Sequence, residues 1–187
     1  MPKTALICSE ELWAHGHGQS HPLRPERLEM TYQLLQAYDA FDGVDSKVIA
    51  PTAADQKALA RCHTPEYIDA VRRLSEGDKS VCPWEDNFGP GDNPVFPAMY
   101  EIEALKAGAS LTAARMVALG QVDVAFSFSG GLHHAMAGHA SGFCVFNDPA
   151  IAIDWLVEQG MRVVYVDIDA HHGDGVQAAF YETDRVM

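Results

Sequence analysis

The run Val163-Val164-Tyr165-Val166-Asp167-Ile168-Asp169-Ala170-His171-His172-Gly173-Asp174-Gly175 joins an apolar strand to three carboxylates and two imidazoles. Ionised carboxylates taken out of water cost several kcal/mol or more unless paired, so a strand that ends in Asp167, Asp169 and Asp174 calls for cations or protons beside it. One acid could cap the helix that follows; three acids with two histidines exceed what capping explains. In an extended strand end Asp167, Asp169 and His171 share parity and point to one side. Carboxylate and neutral imidazole together suit Zn²⁺ and other first-row ions.

The same run predicts the fold class. Strand Val122 to Phe128, turn Ser129-Gly130-Gly131, a helix opened by Asp148-Pro149 and stopped at Gly160, and strand Arg162 to Ile168 form a β-loop-α-β unit. Its strands are near-continuous apolar runs rather than alternating ones, as in strands buried on both faces of a parallel sheet. Chemistry in such sheets gathers at the carboxyl ends of the strands, where Gly130 to His134 and Asp167 to Asp174 both fall. Upstream, the pattern predicts strand Thr4 to Cys8 and helix Arg24 to Tyr38 with Leu28, Leu34 and Leu35 on one face. Helices opened by Thr52 and by Thr64-Pro65-Glu66 follow, then a breaker-rich loop over Gly77 to Pro97 and a long helix over Ala98 to Leu119.

With 26 acidic against 13 basic residues the formal charge of the 187-residue chain is −13, which argues against direct binding of nucleic acid or an anionic membrane surface. Cys8, Cys62, Cys82 and Cys144 form no C-x-x-C pair, and the N-terminus lacks the basic and apolar regions of a signal peptide. A reducing cytoplasm is the expected location. No apolar run approaches the ~18 residues that span a bilayer.

His133 and His134 follow the Gly-Gly turn, where the backbone can approach a substrate closely. Two neighbouring imidazoles can serve as base and acid, and carboxylates of the other cluster can fix their tautomers. His15, His17 and His21 are spaced by Gly16, Gly18 and Gln19 with no carboxylate among them, so they are not read as a metal site. His139 reads as solvent-exposed and Cys144, inside an apolar run, as a buried inert thiol.

Ser129-Gly130-Gly131-Leu132-His133-His134, Ala140-Ser141-Gly142-Phe143-Cys144, Asn147-Asp148 and Asp167 to Tyr181 resemble the signature blocks of the zinc-dependent histone deacetylase superfamily. The blocks His21 to Arg27 and Cys62 to Tyr67 match its N-terminal part, and Asp92-Asn93-Pro94-Val95-Phe96-Pro97 looks most like bacterial acetoin-utilisation deacetylases. The resemblance implies an α/β, three-layer αβα fold of the arginase/deacetylase kind with a mainly parallel sheet. Residues 1–187 would be the N-terminal portion of a single deacetylase domain.

By resemblance, Asp169 and His171 match two of three protein ligands of a catalytic Zn²⁺, or of Fe²⁺ or another divalent ion in its place. His134 would be the general base and acid with Asp174 as its partner, and His133 an electrostatic helper partnered by Asp167. Asp167, Asp169 and His171 would also bind K⁺, while Phe180, Thr183 and Val186 match backbone contributors to a second monovalent site. Gly142 and Phe143 would line an acyl-lysine tunnel, Asp92 would hold substrate backbone at its rim, and Arg27 would line an inner channel. The implied activity is hydrolysis of acetyl-lysine amides in protein or peptide. Acetylpolyamine or another small acyl-amide is the alternative substrate, and a non-catalytic acyl-lysine binder the alternative class.

The family expects a third metal ligand and an oxyanion-binding tyrosine further downstream than Met187. The 187 residues alone are therefore expected to be inactive. A dinuclear arginase-like enzyme would need a second set of carboxylate ligands, and the sequence shows none.

Overall fold

The computed structural model describes residues 2–18, 20–43 and 45–187; in the His-rich loop Trp13 to Pro22, Gln19 lies outside them. Three strands, β1 (Thr4–Ile7), β2 (Ser46–Ile49) and β3 (Val124–Phe126), form a parallel sheet in the order β2-β1-β3. Thr4 stands level with Ser46 and Val124, and Leu6 with Val48 and Phe126. All carboxyl ends lie at one edge, as parallel pairing requires.

Among the described residues six α-helices accompany the sheet: α1 (Glu26–Ala37), α2 (Gln56–Leu59), α3 (Pro65–Ser75), α4 (Met99–Ala118), α5 (Asp148–Glu158) and α6 (Asp174–Phe180). The α3 start obeys its sequence signal, with the Thr64 hydroxyl accepting from the Tyr67 N–H at 3.2 Å and Pro65 at the first helical position. The α2 start does not. Its cap is Asp55, which accepts from the Ala58 N–H at 2.8 Å, because the stretch after Thr52 is tied instead to α4 through Ala54 N–H to Ala104 C=O at 2.8 Å.

Helix α4 is the axis of the molecule. Met99, Ile102, Ala104, Leu105, Ala107 and Leu111 are all buried, and α3, α5, β1 and β3 pack round it. Its middle, residues 102–109, is buried on every face and holds the ion pair Lys106–Glu103 among apolar residues. The main core is helical rather than sheet-based: Tyr67, Phe88, Met99, Phe146, Leu59 and Ile151 meet between α3, α4, α5 and the loop before α4. Ala5 and Ile7 form a smaller cluster with Ala109 of α4, and Ile49 and Ala125 pack against it. The opposite sheet face, with Val48, Val124 and Phe126, is open to solvent.

Three expectations are corrected. Strand Arg162 to Ile168 does not join the sheet: it forms one parallel bridge, Val163 with Val186, and Ile168 is 95% exposed. The apolar run signals a capacity for burial, but pairing needs a neighbour, and the chain's own neighbour here is residues 185–187, through Val163 N–H to Arg185 C=O and Tyr165 N–H to Met187 C=O, both 2.8 Å. The Leu face of α1 is likewise not a core face, since Leu34 is exposed and no residue of α1 is buried. The strand before the Gly-Gly turn is also shorter than its apolar run, three residues instead of seven. No helix among the described residues is long and apolar enough to cross a membrane.

Gly108 is where α4 touches the chain between β2 and α2 most closely; a Cβ there would lie 1.9 Å from the Thr52 carbonyl oxygen. The obstacle is backbone, which cannot swing aside. Gly108→Ala is expected to destabilise the protein by about 2 kcal/mol or more, within or above the usual range for overpacking, measured as a lower urea midpoint at unchanged m-value.

Candidate active site

The site is built at the carboxyl end of β3. After the strand, Ser129 to Leu132 turn sharply, and the turn is fastened from behind by Asp148, the first residue of α5. Its carboxylate accepts from Gly131 N–H at 3.1 Å, Leu132 N–H at 2.8 Å and the Ser110 hydroxyl of α4. Burial pushes the Asp148 carboxyl up, while these donors oppose that shift. Asn147 caps α5 by accepting from Ala150 N–H at 3.0 Å, and its amide donates to the carbonyls of His133 and Ala135 at 3.3 and 2.9 Å.

A buried histidine completes this scaffold. His63 Nδ1–H donates to Met136 C=O at 3.0 Å, and its Nε2 accepts Asn147 N–H at 2.9 Å. That leaves Nε2 without a proton, so the ring is neutral; burial lowers its pKa to about 4. Asn147, Asp148 and His63 all stand in the quoted sequence blocks, yet their scaffold role was not read. Asn147 before Asp-Pro carries an N-cap signature. Asp148 and His63 carry no local signal, because their partners lie 16 to 84 residues away.

The tandem histidines are each paired with a carboxylate. His133 Nδ1 lies 2.6 Å from Asp167 Oδ2, and His134 Nδ1 lies 2.6 Å from Asp174 Oδ1. A carboxylate at Nδ1 holds the proton there and leaves Nε2 as the free lone pair, the arrangement a general base needs. The rings stand 4.2 Å apart between centroids. Asp167 also accepts the Tyr165 hydroxyl at 2.6 Å. Burial would raise its pKa, but the bonds from Tyr165 and His133 prevail and hold it at about 2. For Asp174 too, the bond from His134 outweighs burial and lowers the pKa.

Asp169 and His171 stand beside the pair, with the His171 ring 6.0 Å from that of His134. Asp169 Oδ1 accepts His171 N–H at 2.7 Å and lies 3.0 Å from His171 Nδ1, contacts that lower the Asp169 pKa. Ligands about 2.0 Å from a tetrahedral ion are about 3.3 Å from one another, so the two donors have both the chemistry and nearly the separation of adjacent ligands. Among the described residues no third His, Cys, Asp or Glu joins them.

One cavity of about 510 Å³ gathers His133, His134, Asp169, His171, Gly142, Phe143, Asp92 and Arg27, all expected from sequence to serve one site. Gly142 has φ 50°, and a Cβ there would come 2.5 Å from His134 Cδ2, so only glycine lets this wall lie against the ring. Asp167 and Asp174 stand behind the histidines rather than in the wall.

Of the residues expected at two separate monovalent-cation sites, Asp169 and His171 of the first line the main cavity and Asp167 does not. Phe180 and Val186 border a second depression with Asp167, of about 300 Å³, and the Thr183 hydroxyl is used by Arg185 N–H at 3.2 Å. Both Asp167 oxygens already accept hydrogen bonds, Oδ1 from Asp169 N–H at 3.0 Å. His21 lies outside the cavity lining, both ring nitrogens engaged: its Nε2 meets Asp92 C=O and its Nδ1 accepts Leu23 N–H, both at 3.1 Å, and its ring stacks on His17, which does line the cavity. His139 is exposed, and burial pushes the Cys144 thiol up to about 12, which keeps it protonated.

The site is thus a parallel α/β scaffold that carries two His–Asp dyads beside an Asp-x-His pair. The histone deacetylase domain model matches residues 21–187, and the chain belongs to that family. It is 39% identical over 187 residues to histone deacetylase clr6 of Schizosaccharomyces pombe, covering 99% of this chain and 46% of that protein. It is 40% identical over 189 residues to acetoin utilization protein AcuC of Bacillus subtilis, covering 100% and 48%. The crystal structure of a histone deacetylase homologue from Aquifex aeolicus superposes with a TM-score of 0.86 at 32% identity, covering 98% of this chain and 49% of that one. The chain thus spans about half the length of the relatives it matches, and the arginase/deacetylase fold expected from sequence is the one it has.

The neutral clamp at His63 has a pH signature. An unfolded histidine protonates near 6.5 whereas folded His63 does so only at about 4, so its stabilising effect is complete above 6.5 and is lost as pH falls. Between pH 6.5 and 5 this site is expected to withdraw about 2 kcal/mol. Urea unfolding at both pH values, in wild type and His63→Gln, should show a correspondingly smaller pH dependence in the variant.

Proposed function

We propose that the protein is a metal-dependent deacetylase that hydrolyses the amide of acetylated lysine. The observation that carries this reading is the pair of His–Asp dyads, each at 2.6 Å, opening on the cavity that also contains Asp169 and His171. Deacetylase names among the relatives support the substrate class. Asp169 and His171 would hold the ion, Zn²⁺ by family, which when bound supplies Lewis acidity to the amide carbonyl and the attacking water.

Proton transfer falls to the chain's own residues. His134 Nε2, with Nδ1 fixed by Asp174, takes the proton of the attacking water and delivers it to the departing lysine amine. His133, held by Asp167 and through it by Tyr165, keeps a polar ring next to the developing charge. Gly142 and Phe143 flank the acyl-lysine side chain, whose uncharged acetylated form can enter between apolar walls. Asp92 at the rim accepts from substrate backbone N–H groups, and Arg27 meets the carboxylate product. K⁺ near Asp167, Asp169 and His171, with a second ion at Phe180, Thr183 and Val186, would steady the loop that carries the ligands.

Two substitutions in the full-length protein test this. His134→Ala should lower kcat on an acetyl-lysine peptide by about 10² to 10⁴, the usual worth of general acid–base catalysis, with bound metal unchanged; near-normal turnover would refute the role. Asp169→Ala should strip most metal, read by elemental analysis, and unchanged metal content would remove Asp169 from the ligand set. Parallel assays on an acetylpolyamine decide between lysine and a small amine as leaving group.

A further inference from the structure

The cavity wall beside His134 is a two-residue hairpin. Ser141 and Cys144 exchange both backbone hydrogen bonds, Cys144 N–H to Ser141 C=O at 2.8 Å and Ser141 N–H to Cys144 C=O at 3.1 Å, so only Gly142 and Phe143 lie between them. Their φ angles are 50° and 74°. Tight hairpins with positive φ at both central positions suit the twist of the flanking chain, and they favour glycine, asparagine or aspartate there. Gly142 fits this rule and Phe143 does not, because in the left-handed region a Cβ crowds the carbonyl oxygen that follows it.

A bulky residue keeps such a conformation only where its surroundings over-determine it. For Phe143 the constraint comes from the loop that carries Asp92. The ladder bonds of the hairpin belong to Ser141 and Cys144, which leaves the Phe143 N–H pointing outward, and the carboxamide oxygen of Asn93 accepts it at 2.9 Å. Asn93 is 7% exposed and is itself fixed, since its Nδ2 donates to the Asn87 carbonyl at 3.2 Å and its own carbonyl accepts Gly89 N–H at 2.9 Å. The Phe143 ring stands edge-on to His21 at 4.6 Å between centroids, and His21 Nε2 meets the Asp92 carbonyl at 3.1 Å. Two consecutive residues of one loop thus hold the ring and the backbone of a cavity residue 50 positions away.

We propose that Asn93 is a positioning residue of the substrate channel: it holds Phe143 in the left-handed conformation and so sets how closely the wall grips the acyl-lysine side chain. The inference deepens the deacetylase reading and rests on it for the identity of the ligand. Without the carboxamide, Phe143 returns to negative φ in a share of the molecules, and apparent affinity falls with the share that keeps the wall in place. The wall flanks the lysine methylenes rather than the reacting amide. Its loss is therefore one of uniform binding, which raises KM and leaves kcat.

The test uses the full-length, metal-loaded protein. Asn93→Ala should raise KM for an acetyl-lysine peptide about fivefold, the net worth of one hydrogen bond, at little-changed kcat. A merely structural role would instead reduce the folded fraction, and hence kcat, at unchanged KM. Asn87→Gly removes another side-chain tie between the same two loops, Asn87 Nδ2 to Ala140 C=O at 2.8 Å, in a residue whose φ of 62° glycine adopts readily, and KM should stay at the wild-type value. In the Phe143→Gly background, where positive φ needs no support, adding Asn93→Ala should raise KM no further. A crystal structure of Asn93→Ala reads the backbone without turnover, and negative φ at residue 143 is expected. Unchanged KM in Asn93→Ala, φ still positive at residue 143, or an equal rise in KM with and without Phe143→Gly overturns the proposal. Wild-type protein that hydrolyses no acetyl-lysine refutes the deacetylase reading alone, because the φ of residue 143 still decides what Asn93 does.

Discussion

The buried carboxylate of Asp148 is the fastening on which the site depends. A turn that presents two adjacent histidines must leave backbone N–H groups pointing inward, and those groups need an acceptor that water cannot supply. Asp148 supplies it for Gly131 and Leu132 and takes the Ser110 hydroxyl as well, so one side chain joins α4, α5 and the histidine turn. Asn147 does the same for the carbonyls on the far side of the turn, and His63 ties Asn147 to the start of α3. The tandem histidines therefore sit on a rigid mount, as precise proton transfer demands.

In front of that mount the electrostatics run the other way. Asp167, Asp169 and Asp174 are held ionised because each accepts hydrogen bonds, and the lowered pKa values are the measure of those bonds. The carboxylates therefore act at neutral pH as fixed negative charges that orient imidazoles and attract a cation. Asp148, completely buried and with no ion-pair partner among the described residues, is pushed in the opposite direction. Neighbouring aspartates thus divide between structural and chemical duties by environment alone.

Helix α4 connects the two regions. Its residues form the core with α3 and α5, its Ser110 reaches the turn, and its Lys106 reaches the cavity. The buried middle of the helix brings a charge to the cavity, at the cost of carrying a buried counter-ion in Glu103.

Much of this was readable in the chain. Local chemistry announced the α3 cap at Thr64-Pro65, the long helix before Gly120 and the helix at Asp148-Pro149, because each signal lies within a few residues of its effect, whereas the shared side expected of Asp167, Asp169 and His171 is not kept, Asp167 bordering a different depression. The dyad partners followed from family resemblance, and the geometry agrees with them. The run Arg162 to Ile168 shows where sequence reasoning stops: its residues favour a buried strand, but burial depends on which backbone lies alongside, and here that is residues 185–187. The roles of Asp148, His63 and the Glu103–Lys106 pair were equally hidden, since a buried polar side chain is defined by donors and acceptors that folding brings from distant segments. Short-range physics is written in the order of residues, whereas the satisfaction of buried polar groups exists only once the chain has closed round them.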